Sequence, residues 1–288
     1  LRMFQKILKK HKPQLLGVCF DVSRKTFRQE KDREYKSNRP EMPDDLRSQI
    51  PVIKEIIRAY GIPIFEVEGF EADDIIATLS QKAKHRGIST TIISSDKDLL
   101  QLVDEDINVL NPQKDEETIF DVGKVEEKFG LKPAQIVELV AFTGDTVDNI
   151  PAIKGISEKK AAELVREFGS MEGVIKHLDK VSPEKVKLAI EGNIERIRLN
   201  RELAALDKEM DLEFDQNKLA LGEPNYEELF KLFKRLEFKA LLKDLPVADK
   251  NEVVNVEILS SAEFKKLAQE TGEIFLYGTD LNSLMFGL

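Results

Sequence analysis

Residues 62–98, IPIFEVEGFEADDIIATLSQKAKHRGISTTIISSDKD, decide the fold. Ile62 to Val67 is a short run of strand-forming residues, and after Gly69 the pattern changes to helical spacing over Ala72 to Arg86, where Gly87 stops it. Ile88 to Ser94 returns to β-branched and aliphatic residues and runs into Asp96. Upstream, Leu15 to Asp21 reads as another buried strand. Asp44 to Tyr60 carries Leu46, Ile50, Ile53 and Ile57 at helical spacing, between the start signal Pro43 and the stop Gly61. The resulting β-α-β-α-β order predicts an α/β core with a parallel sheet flanked by helices. Ligands in such sheets sit beyond the carboxyl ends of the strands.

Strand signals fade after about residue 122. The expected organisation is an α/β core over 1–121, a helical subdomain over 122–245, a linker over 246–255 and the start of a further α/β domain over 256–288. Leu1 and Leu288 do not read as natural ends of a folded unit, so flanking sequence is expected on both sides. No apolar run approaches the ~20 residues that span a bilayer, and no secretory pattern opens the chain, which predicts a cytoplasmic protein without membrane contact. The lone cysteine, Cys19, lies in an apolar run and reads as a core thiol. His11, His85 and His177 read as solvated or structural. A net charge of −9 argues against a polyanionic partner only if the acids are spread evenly, and they are not.

Acids gather at element ends: Asp21; Glu71, Asp73 and Asp74; Asp96 and Asp98; Asp145 and Asp148. Asp21 and Asp96 follow the first and last strand candidates and should emerge on one sheet edge. An acidic first turn also suits any helix dipole, which is the plain reading of the Glu71–Asp74 group taken alone. Taken together, eight acids at one edge would repel strongly without a cation among them. An oxygen-only set without histidine or cysteine suits Mg²⁺ or Mn²⁺ rather than zinc. Two such ions can activate water and stabilise both oxygens of a phosphodiester displacement.

The stretch from Arg24 to Arg39 is the most basic of the chain, with Arg24, Lys25, Arg28, Lys31, Arg33, Lys36 and Arg39. It reads either as a solvated helix face or, beside the acidic edge, as a phosphate clamp made by Arg28, Lys36 and Arg39, with Tyr35 stacking on a terminal base. A glycine-containing turn at Lys154, Gly155 and Ser157 leads into a helix bearing Lys159 and Lys160. It offers backbone amides and charge to a DNA backbone, or serves as plain scaffold.

These motifs, in order, are Phe27-Arg28, Tyr35-Lys36-Ser37-Asn38-Arg39-Pro40, Met42-Pro43-Asp44-Asp45-Leu46-Arg47, Gly69-Phe70-Glu71-Ala72-Asp73-Asp74, Ser95-Asp96-Lys97-Asp98 with Gln101-Leu102, and Gly144-Asp145 with Asp148-Asn149-Ile150-Pro151. Over about the first 245 residues the chain resembles the 5′ nuclease family that forms the front domain of bacterial DNA polymerase I and is related to the flap endonucleases. The resemblance implies a PIN-like parallel-sheet core and a helical helix-turn-helix clasp for duplex DNA. It also implies 5′–3′ exonuclease or flap endonuclease activity on branched DNA, nicks or RNA primers, and a covalently linked polymerase domain. Asp21, Glu71 and Asp73 would serve one Mg²⁺ or Mn²⁺, and Asp96, Asp98 and Asp145 a second. Asp74 and Asp148 would support them, and a K⁺ would sit at the backbone near Gly155. Three departures stand out. The family's earliest metal-binding aspartate would lie upstream of Leu1; Ser157 and Lys160 replace a usual glycine and threonine; and Gly278 stands where the neighbouring exonuclease-like domain would carry its first catalytic aspartate.

Two rivals differ in class. An aspartyl-phosphate phosphatase would need an acid two residues after Asp21, where Ser23 stands. A DNA-binding module without catalysis would bind a flap substrate and leave it uncut.

Overall fold

A computed structural model describes residues 1–22, 25–112 and 117–246. Ser23, Arg24, nearly all of the expected linker and the expected domain start over 256–288 lie outside the described residues.

The described elements are α1 (Arg2–His11), β1 (Val18–Cys19), α2 (Phe27–Lys31), α3 (Asp44–Ala59), β2 (Ile64–Phe65), α4 (Ala72–Lys84), β3 (Thr90–Ile93), β4 (Ile107–Pro112) and β5 (Glu117–Phe120). Helices follow: α5 (Val122–Phe129), α6 (Ile136–Thr143), α7 (Glu158–Phe168), α8 (Met171–Lys176), α9 (Glu184–Glu191), α10 (Ile194–Ala204), α11 (Gln216–Leu219), α12 (Tyr226–Arg235) and α13 (Lys239–Lys243). A short 3-10 helix, Asp98–Leu102, follows β3.

The expected helices over 44–60 and 72–86 form close to their expected limits. Asp44 and Asp45 sit in the first turn of α3, where negative charge meets the dipole, and Gly61 at φ 72° ends it in a conformation that suits glycine. The three expected parallel strands divide between two sheets. β1 pairs with β2 in parallel, Val18 opposite Ile64, whereas β3 pairs in parallel with β4, which then turns back antiparallel onto β5. The β4–β5 hairpin and α1 were not anticipated from sequence.

From Leu1 to Leu229 the chain forms one compact unit, and the described residues from Phe230 to Pro246 belong to a second. In the first, Ile92, Leu99, Leu102, Ile107 and Val109 make a core beneath α4 and the β3–β4–β5 sheet. Another core, with Phe142, Leu164, Val174, Ile190 and Ile197, lies among the later helices. Tyr35, Val137, Val140, Ile150 and Leu203 join α6, α10 and the turns beside them. In the second unit, the rings of Phe233 and Phe238 pack at 6.1 Å.

Candidate active site

Three of the four acidic groups lie at the ends of short elements, and the backbone explains why. Asp21, just past β1, accepts the amide of Ala72 (2.7 Å) and so caps α4. Glu71 precedes α4, Asp73 and Asp74 fill its first turn, and Asp74 Oδ2 accepts the Glu71 amide (3.2 Å). Asp96 Oδ1 accepts the amide of Asp98 (2.9 Å), which orders the turn after β3. The helix-dipole reading of the Glu71–Asp74 group is therefore correct as far as it goes, and Asp21 joins that group at the start of α4.

The fourth group sits on the 144–151 turn. Gly144 adopts φ 64°, and a Cβ there would lie 2.3 Å from the Ile150 carbonyl oxygen, so glycine is required twice over. Asp145 and Ile150 exchange both backbone hydrogen bonds (2.8 and 2.7 Å), and Asp145 Oδ1 accepts the Val147 amide (2.7 Å). The basic turn at 32–39 is stitched onto this loop. Asn149 donates to the Glu34 carbonyl (2.6 Å), Asn38 to the Thr146 carbonyl (2.8 Å), and the Lys36 amide to the Asp148 carbonyl (2.9 Å). Lys36 and Arg39 are thereby delivered to the acids. Lys36 Nζ lies 2.8 Å from Glu71 and 3.6 Å from Asp148, and Arg39 Nη2 lies 2.6 Å from Asp148. Lys97, which the sequence reading passed over, reaches Asp145 at 2.8 Å.

Three expected site residues take other positions. Arg28, expected on a phosphate, is 1% exposed. Its guanidinium pairs with both oxygens of Asp74 (2.6 and 2.7 Å), approaches Glu71 (3.5 Å), and donates to the carbonyls of Leu203 (2.8 Å) and Ala205 (2.7 Å). An arginine has five N–H donors, and all are spent inside the protein. Asp74, expected to support a metal, is fully buried, with oxygens that also accept the amides of Glu71 and Asp207. Tyr35, expected to stack on a base, is 2% exposed, its hydroxyl within 3.1 Å of Glu71 and 3.0 Å of Asp148. Burial and those two carboxylates hold its phenol above the ordinary range, so it stays a donor.

Electrostatics shows which acids meet. Burial, then the charges of Asp96, Glu71 and Asp21, push the Asp73 carboxyl up to about 7, against the opposing pull of Lys36. Burial, then Asp96, Asp145 and Asp148, push Asp98 up to about 7 as well. Asp145 goes the other way: burial would raise it, but Lys97 and the Val147 amide hold it below the usual carboxylate range. Acids from four separate segments thus form one coupled field, with Asp96 linked to both halves. Among the described residues, no three His, Cys, Asp or Glu side chains stand close enough to wrap a single ion as placed, and the ammonium groups of Lys36 and Lys97 lie between carboxylates. Cys19 beside this field is half-buried, its thiol pushed up to about 12 by burial and by Asp73.

The second expected surface is a turn and helix start. Lys154, Gly155, Ser157 and Lys159 are exposed; Gly155 has φ 94°; Ser157 Oγ caps α7 by accepting the Lys160 amide (3.2 Å); and Lys160 Nζ lies 3.5 Å from Glu163. No helix among the described residues is long and apolar enough to cross a membrane.

Residues 1–130 match a family model described as 5′-3′ exonuclease, N-terminal resolvase-like domain, and residues 131–227 one described as 5′-3′ exonuclease, C-terminal SAM fold. A 5′-3′ exonuclease of Aquifex aeolicus is 40% identical over 245 residues, covering 85% of this chain and 83% of that protein. A DNA polymerase I of Bacillus caldotenax is 38% identical over 84% of this chain, but the match spans only 28% of that polymerase. Among solved structures, T5 5′-exonuclease with bound divalent metal ions (zinc) superposes with TM-score 0.61 at 24% identity, covering 72% of this chain and 79% of that one. The catalytic core of Rad2 in complex with DNA substrate superposes with TM-score 0.57 at 16% identity, covering 85% and 83%. At those identities the likeness establishes the fold.

Proposed function

Because the chain belongs to the 5′-3′ exonuclease family, we propose that it hydrolyses phosphodiesters at the 5′ side of branched or nicked DNA, using divalent cations held at the carboxylate edge. The observation that carries this reading is that acids from separate segments are drawn together: Asp21 onto the start of α4, Glu71 and Asp148 onto Lys36, and Asp145 onto Lys97, with Asp73 and Asp98 raised to about 7 among them. A field of that sign is neutralised by a hard cation, and the donor set is all oxygen, as Mg²⁺ or Mn²⁺ prefers. Asp21, Glu71 and Asp73 would hold one ion, and Asp96, Asp98 and Asp145 a second, with Asp148 behind them. When bound, a pair of such ions supplies an activated water and charge stabilisation at the phosphodiester.

The chain's own groups do the rest. Lys36 and Lys97 act as tethered counter-ions beside Glu71 and Asp145. Arg39, at the rim on Asp148, presents a guanidinium to the 5′ phosphate side. Tyr35 fixes the Glu71 and Asp148 carboxylates from below. Duplex is held on the exposed turn of Lys154, Gly155 and Ser157 and by Lys159 and Lys160, through phosphates rather than bases, with K⁺ at the turn's carbonyls. A linked polymerase domain, a taste for flaps, nicks or RNA primers, and monomeric action in the bacterial cytoplasm belong to the same reading.

The test is a 5′-labelled flap duplex incubated with Mg²⁺, Mn²⁺ or EDTA. Short 5′ products with either metal and none in EDTA are expected. Binding without cutting under every condition would make the chain a DNA-binding module instead.

A further inference from the structure

The backbone leaving α10 is gripped residue by residue. Arg28 Nε holds the Leu203 carbonyl (2.8 Å) and Arg28 Nη2 the Ala205 carbonyl (2.7 Å). Gln101 Nε2 holds the Ala204 carbonyl (3.1 Å), Gln101 Oε1 accepts the Leu206 amide (3.2 Å), and Asp74 Oδ1 accepts the Asp207 amide (2.9 Å). Five consecutive residues, 203–207, are thus read by three buried side chains. Each of those three is tied to an acid-bearing segment. Asp74 adjoins Asp73, Arg28 reaches Glu71, and Gln101 Nε2 also donates to the carbonyl of Asp98 itself (2.9 Å). Downstream, the strand-like segment runs on along α4: Thr78 Oγ1 donates to the Asp207 carbonyl (3.1 Å) and lies 3.3 Å from the Met210 amide, and Lys82 Nζ reaches the Leu212 carbonyl (2.6 Å).

α4 and the Asp98–Leu102 turn therefore share one ruler. The acids of the first (Glu71, Asp73) and of the second (Asp96, Asp98) repel, and any relative slip of the two elements would change the spacing between their carboxylates. A primary amide is suited to hold such a ruler, because it donates and accepts at once and carries no charge into a buried acidic field. Gln101 is 6% exposed and uses both ends of its amide.

We infer that Gln101 is a positioning residue for the metal-dependent reaction. With Arg28 and Asp74 it clamps residues 203–207 and so fixes the distance between the acids of α4 and those of the Asp96–Asp98 turn. This rests on the nuclease reading above. It also makes the end of α10, whose Leu203 and Ala204 pack with Ile150 of the Asp145 turn, a mechanical link between the helical part and both groups of acids.

The experiment compares wild type, Gln101→Leu, Gln101→Asn and Lys82→Met. The last releases the Leu212 carbonyl, which lies outside residues 203–207, and is the control for plain destabilisation. Two quantities are read below the melting range of every variant: the Mg²⁺ concentration giving half of the maximal thermal stabilisation without DNA, and kcat with KM on a 5′-flap duplex. Loss of a group that orients metal ligands typically costs 10–100-fold. Gln101→Leu is expected to raise half-saturating Mg²⁺ about 10-fold and lower kcat by about 10-fold or more, with KM within about twofold. Gln101→Asn, with its shorter reach, should fall between. Lys82→Met should lower the melting temperature and leave Mg²⁺ dependence and kcat unchanged. Gln101→Leu with wild-type Mg²⁺ dependence and kcat, or indistinguishable from Lys82→Met, overturns the inference. Wild type that neither cuts nor responds to divalent cation instead overturns the nuclease reading on which it rests.

Discussion

Replacing Arg28 with methionine separates a buried strut from a surface clamp. The side chain is 1% exposed and its partner Asp74 fully buried, so Arg28→Met leaves the Asp74 carboxylate with two backbone amides and no counter-ion. Removing one member of a buried pair costs about 3–5 kcal/mol. The carbonyls of Leu203 and Ala205 lose donors as well. For a folded unit of this size, each kcal/mol moves the melting temperature by roughly 2–4 °C, so a fall of about 10–15 °C is expected. The double variant Arg28→Met with Asp74→Leu removes the stranded charge and should recover at least half of the loss, because an apolar pair of similar volume often replaces a buried ion pair without penalty. Calorimetry on the four proteins of this cycle measures it directly. An Arg28→Met protein melting within about 3 °C of wild type, yet weakened in DNA binding, would refute the reasoning and return Arg28 to the phosphate backbone.

Other expectations follow from single sites. Gly144→Ala meets both a positive φ and the Ile150 carbonyl, and should destabilise by more than about 2 kcal/mol in urea unfolding while abolishing cleavage. Thr26 is 4% exposed and its hydroxyl finds no hydrogen-bond partner among the described residues, so Thr26→Val should be neutral or stabilise by about 1 kcal/mol in the same assay. Asp73 and Asp98 have folded-state pKa values of about 7, above their ordinary 3.8. Their contribution to folding is therefore fully present below pH 3.8 and is lost as pH rises through about 7. The cation-free protein should melt lower at pH 8 than at pH 5.5, and added Mg²⁺ should raise the melting temperature more at pH 8, as differential scanning fluorimetry at both values will reveal.

Helices were legible in the sequence because apolar spacing and stop residues act locally: α3 and α4 begin where Pro43 and the Glu71 cap place them. The acids were legible for the same reason, since polar groups at the ends of apolar runs order the turns and helices that follow, although Asp21 and Asp96 leave two separate sheets rather than the single edge expected. The β4–β5 hairpin was not, because Ile107–Pro112 mixes Asn and Pro into a strand held by its partners rather than by propensity. Arg28 and Tyr35 were placed on the surface from the company they keep in a basic stretch, but burial is decided by partners 46 and 113 residues away, Asp74 and Asp148. Lys97 and Gln101 sat inside quoted motifs without a role, because their partners, Asp145 and residues 204–206, adjoin them only in space.

Titration of Mn²⁺ into the DNA-free protein at pH 8, followed by electron paramagnetic resonance of the unbound ion, tests whether the four acidic segments act as one cation-binding unit. Uptake by wild type that is weakened at least tenfold by Asp73→Asn and, independently, by Asp145→Asn is predicted, in line with the usual cost of disturbing a metal's ligand set. Uptake indifferent to both substitutions, in proteins that remain folded, would contradict the account.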